Sequence, residues 1–208
     1  LPSWTPDGRR LTFTSWRVEE GETEGEPRLY VMNADGSDQR RLPTPALGTS
    51  AGASWAPDGE TFLVTRTTAD FPGAIHRYRA DGSGETLLAG DPETYYRSAT
   101  YSPDGAWIAF GVGRDEAADI RLMRADGSGV RTVLEGGRDY YPRFSPDGRW
   151  LVVCSARNEE ETDLDVRAVP VDTGAAAADP PPPVWLATGP DRECEGSWRP
   201  PAAPAFRP

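Results

Sequence analysis

Residues 144–153 have the sequence Phe144-Ser145-Pro146-Asp147-Gly148-Arg149-Trp150-Leu151-Val152-Val153, and altered copies of this stretch recur along the chain. Each intact copy places an aromatic residue shortly before Pro-Asp-Gly and an apolar run after it. Proline fixes φ, and Asp-Gly tolerates the positive φ of a tight hairpin, so each copy predicts a turn between two β-strands. The other copies are Trp4-Thr5-Pro6-Asp7-Gly8, Trp55-Ala56-Pro57-Asp58-Gly59 and Tyr101-Ser102-Pro103-Asp104-Gly105, with a decayed copy at Trp198-Arg199-Pro200.

A second turn motif alternates with the first. Ala-Asp-Gly-Ser occurs at 34–37, 80–83 and 125–128, and a looser version, Val-Asp-Thr-Gly, occurs at 171–174. Two hairpin turns in each period of roughly 40 to 50 residues define four strands per unit, and repeats of this length indicate propellers or solenoids. We label these strands a to d, with strand a ending at the aromatic residue before Pro-Asp-Gly. The sequence therefore predicts an all-β fold, a β-propeller of four-stranded antiparallel blades.

This alternation of turn motifs resembles the WD-like repeats of TolB-like β-propellers over nearly the whole chain. The resemblance implies that strand a of each blade lines a central channel and that an intact ring has six blades. The chain supplies four blades, predicted at about 1–46, 47–91, 92–137 and 138–190, then an extra strand that ends near 199 and a proline-rich tail at 200–208. We therefore expect part of a six-bladed ring, and the alternative is a ring of four blades with Trp198 over the seam.

The composition excludes some classes of partner. The formal net charge is −11, which argues against nucleic acid because proteins that bind a phosphate backbone are usually basic. The chain has no apolar stretch of the roughly 18 to 20 residues that a membrane helix needs, so it is not expected to be membrane-embedded. A periplasmic or cell-envelope location is implied by the resemblance alone, since the chain carries no targeting segment, and the oligomeric state is left open.

Two cysteines, Cys154 and Cys194, are too few for a disulfide framework or a zinc cluster. We expect two free thiols, with a disulfide between them as the alternative. No metal and no cofactor are expected. The acidic loops at 19–26 and 115–119 supply carboxylates without the convergence that calcium requires.

The candidate site lies on the face that carries the long b–c and d–a connections, because loops on a rigid scaffold commonly hold binding residues. Two d–a connections each contain paired tyrosines and an arginine, a combination enriched at binding hot spots. We predict that they form a channel-mouth surface for a protein or peptide segment. The alternative is that one tyrosine of each pair packs between blades while the other covers it. The predicted binding residues are Tyr95, Tyr96, Arg97, Asp139, Tyr140, Tyr141 and Arg143.

No catalytic residues are predicted. Gly48-Thr49-Ser50-Ala51-Gly52 matches the pattern of serine hydrolases, but no helix is expected behind it. His76, the sole histidine, is expected to be a partly exposed residue of a c strand. The aromatic residues at the ends of the a strands, Trp4 and Trp55 among them, are expected to pack between blades.

The favoured function is a non-enzymatic, TolB-like scaffold that binds a protein or peptide partner. The alternative from another class is a substrate-gating propeller domain of a prolyl-oligopeptidase-like serine peptidase, whose catalytic domain would lie outside this chain. A module that binds a small molecule or a glycan is a third option, favoured if the tyrosines line a closed pocket.

Overall fold

The computed structural model describes residues 2–18, 21, 23–48, 52–113, 118–156, 164–172 and 182–187. These residues form sixteen β-strands and no helix, arranged as four sheets of four strands each. Within each sheet the strands follow chain order, and every neighbouring pair is antiparallel. The predicted β-propeller of four-stranded antiparallel blades is confirmed.

Each sheet is one blade, and its first to fourth strands are strands a to d. The first blade contains β1 (Ser3–Trp4), β2 (Arg10–Ser15), β3 (Arg28–Asn33) and β4 (Arg40–Arg41). The second contains β5 (Ser54–Trp55), β6 (Thr61–Arg66), β7 (Ala74–Arg79) and β8 (Thr86–Ala89). The third contains β9 (Tyr95–Tyr101), β10 (Trp107–Gly113), β11 (Asp119–Arg124) and β12 (Arg131–Leu134). The fourth contains β13 (Asp139–Phe144), β14 (Trp150–Ala156), β15 (Leu164–Pro170) and β16 (Val184–Ala187). Each sheet lies inside one predicted blade range, and the blade boundaries themselves remain a prediction.

The Pro-Asp-Gly turns are held by a hydroxyl that precedes the proline. In the third blade, Ser102 Oγ donates to Asp104 Oδ1 at 2.5 Å and accepts from the backbone N–H of Trp107 at 2.9 Å. Gly105 has φ +72°, a left-handed conformation that glycine adopts without steric cost. The hydrogen bond from Ser102 is the main cause that lowers the pKa of Asp104. The turn therefore joins strands a and b through both its backbone and its side chains.

The core lies between successive blades, because the strands bury side chains on both faces. In β6, Phe62 and Val64 pack with Leu29 of the first blade. The intervening Leu63 packs on the other side, in a cluster that includes Phe110 of the third blade. Successive side chains of a β-strand point to opposite faces of the sheet. Because a blade stacks on each face here, both sets of side chains are buried. A third cluster joins the third and fourth blades in the same way.

The described strands form an open arc of blades. Their innermost strands contact one another in chain order, β1 with β5, β5 with β9 and β9 with β13, and the described parts of β1 and β13 share no comparable contact. Adjacent blades are also joined by side chains, since Trp55 Nε1 donates to Thr12 Oγ1 at 3.2 Å. The alternative ring of four blades has Trp198 over its seam, and because Trp198 lies outside the described residues, that alternative stays a prediction.

Two expectations from the sequence are wrong, and others fall outside the described residues. Cys154 is buried and disulfide-bonded, so it is not a free thiol. His76 is 6% exposed, because β7 is covered on both faces by neighbouring blades. The other cysteine of the chain, Cys194, lies outside the described residues, as do the extra strand near 196–198 and the tail at 200–208.

Candidate functional site

The innermost strands of all four blades line one cavity of about 1080 Å³, which we call the inner groove. It runs across strand a of each blade, where the resemblance implies the central channel. Exposed aromatic rings and two arginines stand out in its lining. The residues that line it are Pro2, Ser3, Trp4, Pro6, Gly52, Ala53, Ser54, Trp55, Thr65, Thr67, Pro72, Gly73, Tyr95, Tyr96, Arg97, Ser98, Ala99, Thr100, Tyr141 and Arg143.

One repeat position contributes a residue to the groove from every blade. It lies two residues before the Ser, Thr or Ala that precedes Pro-Asp-Gly, and it is occupied by Ser3, Ser54, Thr100 and Arg143. Three blades therefore present a small hydroxyl side chain at this position, and the fourth presents a guanidinium group.

The two tyrosine pairs occupy different positions in their blades. Tyr96 and Asp139 both lie six residues before the serine of their turn, and their backbones make equivalent bonds. The Tyr96 N–H donates to Gly73 O at 3.2 Å, and the Asp139 N–H donates to Ala118 O at 3.0 Å. Tyr140 consequently occupies the position of Arg97 and does not match either tyrosine of the other pair. The two segments are similar in composition but are offset by two residues in the blade.

Tyr141 lies on a β-bulge with a left-handed backbone. The pairing of β13 with β14 shifts between Tyr140 and Arg143, and Tyr141 has φ +53°. The matching shift in the third blade places Ser98 at φ +54°. A non-glycine residue in this region costs on the order of 1 kcal/mol, and such residues are often found at functional sites. The bulge leaves the Tyr141 ring 50% exposed in the groove.

Arg97 is held between aromatic rings of two blades. Its guanidinium carbon lies 5.9 Å from the centre of the Tyr95 ring and 5.7 Å from that of the Tyr140 ring. Its aliphatic stem passes over Gly111, where a Cβ atom would come within 3.0 Å of Arg97 Cγ. Tyr140 therefore does not line the groove itself but supports a residue that does.

Tyr96 and Tyr95 differ in their surroundings. The Tyr96 ring stacks on Phe110 with the ring centres 5.9 Å apart, and its hydroxyl donates to Asp91 Oδ2 at 3.1 Å. Burial is the largest cause that raises the pKa of Tyr96. Tyr95 is 49% exposed. In this pair one ring thus stacks on Phe110 of its own blade, while the other is half-exposed in the groove.

Asp139, like Tyr140, is a predicted binding residue that does not line the groove. It is 3% exposed, and it accepts a hydrogen bond from Ser155 Oγ. Burial raises the pKa of its carboxyl above the ordinary value, although the Ser155 hydroxyl and the Arg167 charge oppose that rise. Its geometry is that of a structural group inside the fourth blade.

Comparison with known families agrees with this architecture. The family model described as the TolB beta propeller domain matches residues 1–173. The chain belongs to the TolB β-propeller family.

Relatives of this TolB-family propeller include longer proteins. The uncharacterized peptidase YuxL of Bacillus subtilis is 31% identical over 163 residues, which cover 78% of this chain and 22% of that protein. A structure assigned to TolB from Agrobacterium tumefaciens has a TM-score of 0.67 at 24% identity, over 88% of this chain and 64% of that one. Prolyl oligopeptidase B from Galerina marginata has a TM-score of 0.58 at 18% identity, over 87% of this chain and 27% of that one. The two structures show a shared fold only, and the chain spans part of the length of each relative.

Sequence reasoning missed several residues that line the groove of this TolB-family propeller. Trp55 packs against the first blade as expected, but it also lines the groove, and Trp4 is 54% exposed there. The sequence did not lead us to predict Ser3, Ser54 or Thr100 as binding residues. Counting back from each Pro-Asp-Gly turn identifies all three, because the repeat fixes which positions of strand a face the channel.

The remaining motifs give no second site in the described parts of the chain. There, no three His, Cys, Asp or Glu side chains converge as metal ligands would, and no helix is long and apolar enough to cross a bilayer. His76 Nδ1 lies 2.8 Å from Glu85 Oε1, which Arg66 Nη1 also approaches at 2.9 Å. The middle of the Gly-x-Ser-x-Gly match, 49–51, lies outside the described residues.

Proposed function

We propose that this TolB-family propeller is a non-enzymatic scaffold that binds a protein or peptide segment in the inner groove. The observation that carries the proposal is the lining of that groove, which contains the half-exposed rings of Tyr95 and Tyr141 together with Arg97. Large aromatic side chains and arginine supply most of the energy in many protein interfaces. Arg143 and the exposed Trp4 extend the same chemistry along the groove.

The size of the groove supports an extended ligand over a compact one. Its volume of about 1080 Å³ is at the upper limit of small-molecule pockets, which are roughly 300 to 1,000 Å³. The strands of four blades line it, so it is an open groove and not an enclosed pocket. An extended segment reaches several blades at once, whereas a small molecule reaches one or two.

We also propose that the protein is located in an oxidising compartment such as the periplasm or cell envelope. Disulfides persist in secreted and periplasmic proteins and are rare in the cytosol. The disulfide at Cys154 supports this location, as does membership of the TolB family.

The proposed function is tested by selecting random peptides, displayed at the free N-terminus of a phage coat protein, on the immobilised chain. The double variant Tyr95→Ala, Tyr141→Asn removes both exposed rings, and asparagine tolerates the left-handed backbone at that bulge. We expect selected peptides to lose at least about tenfold in affinity for this variant, because two contact rings are gone. Binding is measured by interferometry and folding by the midpoint of thermal unfolding, which we expect to change little.

The matched control is Trp16→Ala, since Trp16 is 52% exposed but does not line the groove. It should bind the selected peptides as the wild type does. Equal binding to the double variant, or a library that yields no specific peptide, would contradict the proposal. Tyr96 is left intact because it packs on Phe110, and its removal would weaken the fold.

A second candidate function is a substrate-gating propeller domain of a prolyl-oligopeptidase-like serine peptidase. It is favoured by the 31% identity to the peptidase YuxL, of which this chain matches 22%. This candidate is tested by sequencing the encoding gene beyond codon 208. A downstream Gly-x-Ser-x-Gly elbow followed by Asp and His in an α/β-hydrolase segment would support this candidate.

A further inference from the structure

We propose that the segment bound in the inner groove is acidic, and that Arg97 anchors one of its carboxylate side chains. This inference rests on the proposed function, because it specifies the ligand of the same groove. It is carried by the charge of the lining and by the surroundings of Arg97.

The groove is locally cationic on an acidic protein. The chain has 33 acidic and 22 basic residues. Among the described residues that line the groove, the charged ones are Arg97 and Arg143, and none is an aspartate or a glutamate. At physiological ionic strength, charges more than about 8 Å away are largely screened. A ligand beside Arg97 therefore experiences this guanidinium more strongly than the distant negative charges of the chain.

Arg97 differs from Arg66 and Arg121 in its partners. Arg66 lies 2.9 Å from Glu85, and Arg121 lies 3.5 Å from Asp119. Arg97 instead contacts the rings of Tyr95 and Tyr140, and no carboxylate within the described ranges pairs with it. It is half-buried, so water only partly replaces such a partner. A half-buried guanidinium without a carboxylate partner is suited to bind a carboxylate, to which it donates two charge-assisted hydrogen bonds.

The side chain is also preorganised for that task. Its guanidinium carbon lies 5.9 Å and 5.7 Å from two ring centres, and the absence of a side chain on Gly111 makes room for its stem. Because the arginine is already ordered, binding costs less conformational entropy than it would for a free surface arginine. The half-exposed ring of Tyr95 lies beside this guanidinium and lines the same groove.

The experiment compares the peptides selected by three proteins: the wild type, Arg97→Gln and Arg124→Gln. Arg124 is the matched control, since it also lies over an aromatic ring, 5.1 Å from the centre of Trp107, but does not line the groove. Because the C-terminus of each displayed peptide is fused to the coat protein, carboxylates come from its side chains. Selected peptides are then synthesised with blocked ends, each in a Glu form and a Gln form, and their affinities are measured by fluorescence anisotropy.

We expect wild type and Arg124→Gln to enrich Asp and Glu and to bind the Glu form at least about tenfold more tightly than the Gln form. Arg97→Gln should lose both preferences while still binding the Gln form. Peptides that bind the groove without acidic enrichment would overturn this inference and leave the proposed function standing. The inference is also overturned if Arg97→Gln keeps the preference for Glu. A library that yields no peptide overturns both proposals.

Discussion

The residue six positions before each Ser-Pro-Asp-Gly turn has a different task in the third and fourth blades. In the third blade it is Tyr96, whose ring stacks on Phe110. In the fourth it is Asp139, which is buried and accepts a hydrogen bond from Ser155. A buried carboxylate is costly when ionised, because the interior solvates its charge poorly. The fourth blade thus carries an ionisable group where its neighbour carries a ring.

Asp139→Asn should change the pH dependence of stability. Burial raises the pKa of Asp139 in the folded state, so its stabilising contribution is complete below the unfolded pKa and is lost as pH rises through the folded pKa. Asparagine keeps an oxygen acceptor for Ser155 and does not titrate. We expect the variant to gain stability relative to wild type as pH rises above about 4, the ordinary pKa of an unfolded aspartate, measured by urea unfolding over a pH series. Parallel stability curves for the two proteins would contradict this expectation.

The residues of the groove were only partly predictable from the sequence. Tyr95, Arg97 and Tyr141 were selected for their type, and the structure places them together in the groove. Counting back from the turns gives the two-residue offset between the tyrosine pairs. The prediction instead compared the composition of the two segments, which is similar and does not reveal the offset. The bulge at Tyr141 was not predictable, since it arises from the pairing of β13 with β14 and has no glycine to mark it. The hydrogen bond of Asp139 was likewise not predictable, because its partner Ser155 lies on another strand.

At the scale of an element, the turn between strands a and b is the unit that repeats most faithfully. Thr5, Ser102 and Ser145 each donate to the aspartate of their own turn and accept from the first backbone N–H of the next strand. The second blade has Ala56 at this position. Its backbone bonds are kept, with the Gly59 N–H donating to Ala56 O at 2.9 Å, but the hydroxyl bonds are missing.

Ala56→Ser should therefore stabilise the protein. The new hydroxyl can donate to Asp58 and accept from the N–H of Thr61, as its counterparts do, and a net intramolecular hydrogen bond contributes about 1 kcal/mol. The reverse change, Ser145→Ala, should cost a similar amount. Both are measured as the free energy of unfolding in urea. Opposite signs are expected for the two variants, and a loss of stability in Ala56→Ser would show that its small buried site cannot accept the oxygen.

These turns explain why the strands could be predicted so closely. Pro-Asp-Gly and Ala-Asp-Gly-Ser set the hairpins through local chemistry, so each four-stranded sheet lies within its predicted blade range. Strand a of the third and fourth blades begins where the outer connection of the preceding blade pairs with it, at Gly73 and Ala118. That contact lies between blades, so the local pattern does not contain it.

At the scale of the whole molecule, the blades at the two ends of the arc differ from those inside it. The second and third blades have a neighbour on each face, and their clusters reach in both directions. The first and fourth blades have a described neighbour on one face only. Exposed large apolar residues are concentrated on these two blades, at Trp4, Trp16, Val18, Val184, Trp185, Tyr141 and Leu186. An exposed apolar patch on an outer strand favours association with another chain.

We therefore expect this chain to self-associate as its concentration rises, and we expect Leu186→Lys to reduce that association. Leu186 is 55% exposed in β16, so a lysine there places a charge on an apolar edge with little effect on folding. Leu87→Lys is the matched control, because Leu87 is 46% exposed in β8, the same strand of an inner blade. Sedimentation velocity over a range of concentrations should show larger species for wild type and Leu87→Lys than for Leu186→Lys. If the wild type sediments as a monomer throughout, the apolar surface of the end blades is too small or too irregular to join two chains.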